Sequence, residues 1–199
     1  MEGKWGIGPE IEYPLRVFLL SLLLWILSRK VIDLRVRNAA GSIAMGIAVF
    51  AIWIAPDALI PGYRQHWLFN NSVVGAGSVS LPPYASMSVV ALAFRTIRAA
   101  ILVPVIEELF WRSWMMRWII DPKFEAIPLG TWQARAFWTT VVLFALEHGS
   151  YWEVGALAGI AYGWWMLRTR SLGDCILAHA VTNAILSAYV IATGKWHYW

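Results

Sequence analysis

The chain has 199 residues, 59% of them hydrophobic and only 14% charged, with 14 tryptophans and a formal net charge of +4. Soluble domains run at about 45–50% apolar and about 25% charged, so the composition excludes an ordinary soluble enzyme, and the tryptophans point to bilayer interfaces. The basic residues flank apolar runs instead of forming one block, which sets aside nucleic-acid binding, and the single cysteine, Cys175, leaves no intrachain disulfide.

The first twelve residues hold one lysine against Glu2, Glu10 and Glu12, a poor match to a signal-peptide n-region. A spanning helix needs about 20 mainly apolar residues. The first such run is 13–28, closed by Arg29 and Lys30; the second is 39–60, ending near Pro56 and Pro61. A polar stretch with Pro, Gly and Asn follows, through Pro83. The region 85–120 is too long for one span and short for two. Pro104 would kink a continuous helix there, so the reading is a partial amphipathic helix over 85–98 leading into a full span over 99–119. Residues 121–133 read as a loop by their Pro, Gly and charge. Runs at 134–148, 152–167 and 172–193 complete the chain. No repeat or soluble appendage is visible. The expectation is an all-α polytopic membrane helix bundle of six to eight transmembrane helices, one membrane-embedded domain over 1–199.

Lys and Arg favour cytoplasmic loops. They concentrate at 29–37, 117–135 and 168–170. This alternation fits an extracytoplasmic N-terminus on one condition, that 85–120 crosses once.

An ionisable side chain at the bilayer centre costs about 2.5–3.5 kcal/mol on insertion scales and normally faces the bundle interior with a partner. Glu108 and Arg112 stand four apart, acid first, the favourable order for an ion pair on one helical face. Glu107 sits about 100° around that helix, so it must aim elsewhere. His148, beside Glu147, closes the run 134–148, one turn past Phe144. His179 and Asn183 share a face of the last run. Any one of them alone reads as interhelical glue, worth about 0.6–2 kcal/mol. Together, Glu107, His148, His179 and Asn183 lie on three helices in a medium with few partners, and one shared polar cavity satisfies them all.

That cavity has a limited chemistry. There is no G-x-S-x-G, no H-E-x-x-H, and no intramembrane pair among the aspartates. A carboxylate and an imidazole can activate water, while a second imidazole and an amide donate hydrogen bonds to an oxyanion. The same set, through Glu107, His148 and His179, could instead bind a divalent metal such as zinc, with a position left for water. The residues alone leave both mechanisms open.

"EELFWR" (107–112), "FALEH" (144–148) and "HAVTN" (179–183) match, in order, the E-E-x-x-x-R, F-x-x-x-H and H-x-x-x-N motifs of the CAAX protease and bacteriocin-processing family of intramembrane proteases. The resemblance covers about 85–193, the expected catalytic core. It implies an intramembrane endopeptidase of glutamic type without a cofactor, although such proteases were long described as metalloproteases. By position, Glu107 would be the base that activates water, His148 would assist, His179 and Asn183 would form the oxyanion hole, and Glu108 and Arg112 would support the site. The partners implied are the lipid bilayer and a membrane-associated protein or peptide substrate, lipidated or carrying a sorting signal. "EELFWRSW" is also similar to a bacterial branch associated with exosortase protein-sorting systems, which implies a membrane protein-sorting partner and a bacterial inner-membrane location. Glu147 has no role that the sequence assigns. The competing reading is a non-catalytic immunity or sorting partner that uses the same pocket for binding. A transporter fits less well, because the chain shows no duplicated halves.

Overall fold

The computed structural model describes residues 7–30, 33–71 and 88–198. Most of the polar stretch that ends at Pro83, and the start of the 85–98 segment, lie outside the described residues. Six main helices follow in chain order: α1 (Pro9–Ser28), α2 (Ala39–Leu59), α3 (Val89–Ile120), α4 (Ala134–Leu146), α5 (Trp152–Thr169) and α6 (Leu172–Thr193). There is no strand among them. Four of these, α1, α2, α3 and α6, are long and apolar enough to cross a membrane, and α4 is a shorter apolar helix. This is an all-α membrane helix bundle.

The segment 85–120 departs from expectation. It is not a partial helix joined to a span but one helix of 32 residues from Val89. At 1.5 Å per residue it is about 48 Å long, well beyond the hydrocarbon thickness of about 30 Å. Pro104 does not break it, for a local reason. Residues Arg98–Leu102 form π-helical turns, and the Val103 N–H reaches back to the Arg98 carbonyl. The next bond in that register would need an N–H that Pro104 lacks, which frees the Ala99 carbonyl. The Asn183 side chain takes it, donating Nδ2–H at 2.9 Å. A second π stretch covers Leu109–Met115, just past the glutamate pair. Such bulges recur at functional sites.

Helices alternate in direction, and named contacts fix the order. Asp174, at the start of α6 and fully buried, accepts from the N–H groups of Arg37 and Asn38 and from Ser42 Oγ at the start of α2. The two helices therefore run parallel, with Thr182 Oγ1 donating to the Gly46 carbonyl halfway along. A Cβ at Gly46 would collide with the Ala178 carbonyl. Trp165 near the end of α5 donates to Ser42, and Arg135 at the start of α4 donates to the Ile119 carbonyl at the end of α3. Tyr13 and Arg95 pair α1 with the beginning of α3.

Helix α5 owes its place to glycines one turn apart. A Cβ on Gly155 would stand 3.2 Å from His148, on Gly159 3.2 Å from Phe144, and on Gly163 2.8 Å from Phe137. Small residues at this spacing let helices approach closely in lipid, where packing rather than the hydrophobic effect drives association.

The Asp174 junction should dominate stability. Removing a carboxylate that satisfies several buried donors strands each of them at about 1–3 kcal/mol. Asp174→Ala should cost about 3 kcal/mol or more, read as a marked fall in the thermal unfolding midpoint in detergent. Asp174→Asn, which keeps an acceptor, should recover part of the loss.

Candidate active site

The candidate site is built around a buried charge. Glu108 and Arg112 are 0% and 1% exposed, and Arg112 Nη1 donates to Glu108 Oε1 at 3.1 Å. The i,i+4 pair expected from sequence is present. The guanidinium is covered by aromatic faces, 4.5 Å from the centre of the Phe144 ring and 5.5 Å from Tyr162. Cation–π contact of this kind compensates a charge removed from water. Glu108 does more than pair with arginine. Its Oε1 also faces His179 Nδ1 at 2.9 Å, so Glu108 joins α3 to α6.

His179 is held on three sides. Glu108 fixes one ring nitrogen, and Tyr162 stacks on the face with centroids 4.9 Å apart. Tyr162 is itself locked by a 2.7 Å hydrogen bond to Thr182. The other nitrogen, Nε2, points towards Glu107 Oε2 at 3.9 Å. Glu107 thus aims away from Arg112, as the 100° offset requires. Its buried Oε2 takes no hydrogen bond from any described residue.

His148 lies beyond the end of α4, not inside the helix. The chain turns at Leu146, and His148 sits at φ −88°, ψ 2° before a 3₁₀ turn at Gly149–Tyr151. Its Nδ1 is 2.6 Å from the Phe144 carbonyl, so Nδ1 carries the proton and Nε2 presents a lone pair. Trp53 packs edge-on against the ring at 5.2 Å.

The turn also recruits Glu147, to which the sequence assigns no role. Trp111 Nε1 donates to Glu147 Oε1 at 3.0 Å. The ligating atoms of Glu107, Glu147 and His148 all lie within 4.8 Å of one another. A single water accepting or donating at both ends spans such a distance, since each hydrogen bond covers about 2.8 Å. The set weighed from sequence had His179 where this cluster has Glu147; His179 Nε2 faces Glu107 at 3.9 Å, with Nδ1 held by Glu108. The "E" in "FALEH" was the available signal. Neighbours on a continuous helix diverge, but the helix ends at Leu146, just before it.

A cavity of about 200 Å³ connects these groups, lined by Glu107, His148, His179 and Asn183 together with apolar neighbours such as Val103 and Leu186. All four residues expected to share a cavity do share one. Asn183 reaches it with one side-chain N–H already given to Ala99.

A family model matches residues 89–185 as Rce1-like, the type II CAAX prenyl endopeptidases. Over this segment the chain belongs to the CAAX protease family. No curated protein and no solved structure matches the chain. The CAAX protease segment runs from the start of α3 to Ile185 on α6 and contains every residue of the cavity's polar set. It makes the protein an integral membrane member of a family of intramembrane endopeptidases.

Gly155 provides a graded test of this geometry. Adding a Cβ there presses on His148 Cβ, Cγ and Nδ1 at 3.2 Å, and misplacing a catalytic group by about 1 Å can cost about a hundred-fold in rate. On the peptidase reading proposed below, Gly155→Ala should lower kcat by roughly ten- to a hundred-fold while the thermal midpoint in detergent moves little.

Proposed function

We propose that the protein is an intramembrane endopeptidase that hydrolyses a peptide bond in a membrane-associated protein or peptide, using water activated by Glu107 and His148. The observation that carries this reading is the approach of Glu107 and His148 within one water's span at the wall of a cavity that also holds His179 and Asn183. Glu107 Oε2 accepts a proton from the water, whose oxygen adds to the carbonyl carbon. His148 Nε2, its tautomer set by the Phe144 carbonyl, holds the second hydrogen of that water. The oxyanion accepts the remaining N–H of Asn183. It also accepts from His179 Nε2 when that ring, flanked by Glu107 and Glu108, carries both protons. The C–N bond then breaks, and Glu107 returns its proton to the departing amine. Preorganised donors in a site shielded from water supply the largest stabilisation in such chemistry.

The donor set Glu107, Glu147 and His148 also suits a divalent ion such as zinc. When bound, such an ion would polarise a water. The cofactor-free reading predicts that peptidase activity of the purified protein survives exhaustive treatment with a chelator; loss of activity restored by zinc would select the metal.

Glu107→Gln should lower the cleavage rate by about a hundred- to ten-thousand-fold with the fold retained by thermal unfolding in detergent. The assay uses a library of membrane-tethered peptides. Full activity in that variant would remove Glu107 from the chemistry. A variant that unfolds, or loses only partner binding, would instead support the sorting or immunity reading of the pocket.

A further inference from the structure

The continuity of α3 settles the condition on which the charge asymmetry depended. With one crossing there, the ends of α1, α3 and α5 and the starts of α2, α4 and α6 share one face. That face carries Arg29, Lys30, Arg35 and Arg37 between α1 and α2. It carries Arg117, Lys123 and Arg135 around the α3–α4 loop, Arg168 in the last turn of α5, and Arg170 between α5 and α6. The opposing acids are Asp33, Asp121, Glu125 and Asp174. At the other end the described bases are fewer: Arg16, Arg64, Arg95, Arg98 and Lys195. Arg16 pairs with Glu12, and Arg64 pairs with Asp57 and Glu153. By the positive-inside rule the first face is cytoplasmic.

The cavity is displaced away from that face. Ala99 and Val103 line it from the first half of α3, and His148 from the far end of α4. Ser187 lines it from the second half of α6, and Tyr198 from beyond that helix. Towards the cytoplasmic face the bundle is filled by Trp165, Met166, Leu172 and Cys175, all buried, and then by the Asp174 junction. At the far end the cavity is bordered by Tyr198, and the adjacent His197 lines a separate polar recess of about 360 Å³ with Asp57, Arg64, Gln65 and Asn70. Glu147, next to the reacting groups, is exposed.

We infer that the cavity opens to the extracytoplasmic side, and that its substrate is a peptide segment already translocated across the membrane. This rests on the peptidase reading for the word substrate, and on geometry and charge alone for the side. The cytoplasmic half of the bundle serves as a plug and anchor, and the polar part of the substrate arrives from the aqueous phase beside Gln65 and Asn70.

The test uses single cysteines placed by Glu147→Cys and Lys123→Cys in the full chain, in right-side-out membrane vesicles with a membrane-impermeant maleimide. Native Cys175, fully buried, gives the unlabelled background in the unsubstituted protein. The expected result is labelling of E147C in intact vesicles and of K123C only after permeabilisation. Labelling of K123C in intact vesicles, or of E147C only after permeabilisation, overturns the inference. In parallel, the tethered peptide library is displayed on either side of vesicles that hold the unsubstituted protein. Cleavage of the extracytoplasmic display supports the inference, and cleavage confined to the cytoplasmic display overturns it. The labelling reads the side whether or not the protein cleaves anything, whereas the Glu107→Gln assay reads the chemistry, so each can fail alone.

Discussion

The structure depends on how a membrane bundle keeps a carboxylate and a guanidinium out of water. Glu108 and Arg112 are sealed from solvent, and neither is tolerable there without the other. Their pairing uses only part of their capacity. Arg112 Nε and Nη2 have no hydrogen-bond partner among the described residues, and the rings of Phe144 and Tyr162 cover the guanidinium instead. Those two rings come from α4 and α5, and the second contact of Glu108 is His179 on α6. One ion pair on α3 thereby sets the positions of three other helices. Its consequence for chemistry is indirect. With Glu108 consumed by structure, Glu107, one step around the helix, is left facing the cavity.

The same economy governs the backbone. Pro104 removes a donor from α3, and the widened turns before it leave the Ala99 carbonyl in need. Asn183 answers that need and is held at the cavity wall in doing so. In lipid no water stands ready to satisfy a stray carbonyl, so an irregularity in one helix becomes a tether for the next. The His148 tautomer is fixed in the same way, by a carbonyl at the fraying end of α4.

Much of this was legible in the sequence because charge in a membrane is expensive and therefore informative. The bundle, the Glu108–Arg112 pair, the divergence of Glu107 and the convergence of His148, His179 and Asn183 on one cavity all follow from spacing and polarity. The range of α6, 172–193, was readable to the residue. What was not legible involved backbone events without a side-chain signature. Pro104 argued for a break in 85–120, yet π turns absorb it. Glu147 looked orphaned because the run 134–148 gave no sign that the helix stops at Leu146. The fit of α5 against α4 rests on Gly155, Gly159 and Gly163, whose regular spacing was visible but whose facing partners were not. Asp174 lies at the head of an apolar run, with no partner visible in the sequence. Its work is to receive the start of α2, more than 130 residues earlier in the chain, a pairing that no local pattern announces.

Helix α4 is only 13 residues long, about 20 Å by its rise. That is roughly 10 Å short of the hydrocarbon slab. Lipid tails alongside it must shorten or splay to meet it, and bilayers accept such mismatch at fractions of a kcal/mol per ångström. A bilayer that meets this helix along its apolar length has to thin beside His148. A single-pass helix that drifts into the thinned zone loses apolar cover over part of its length, and its backbone hydrogen bonds meet water while it is still anchored. On the proposed peptidase reading, unwinding a segment, the step that a helical substrate resists most, is easiest beside the cavity.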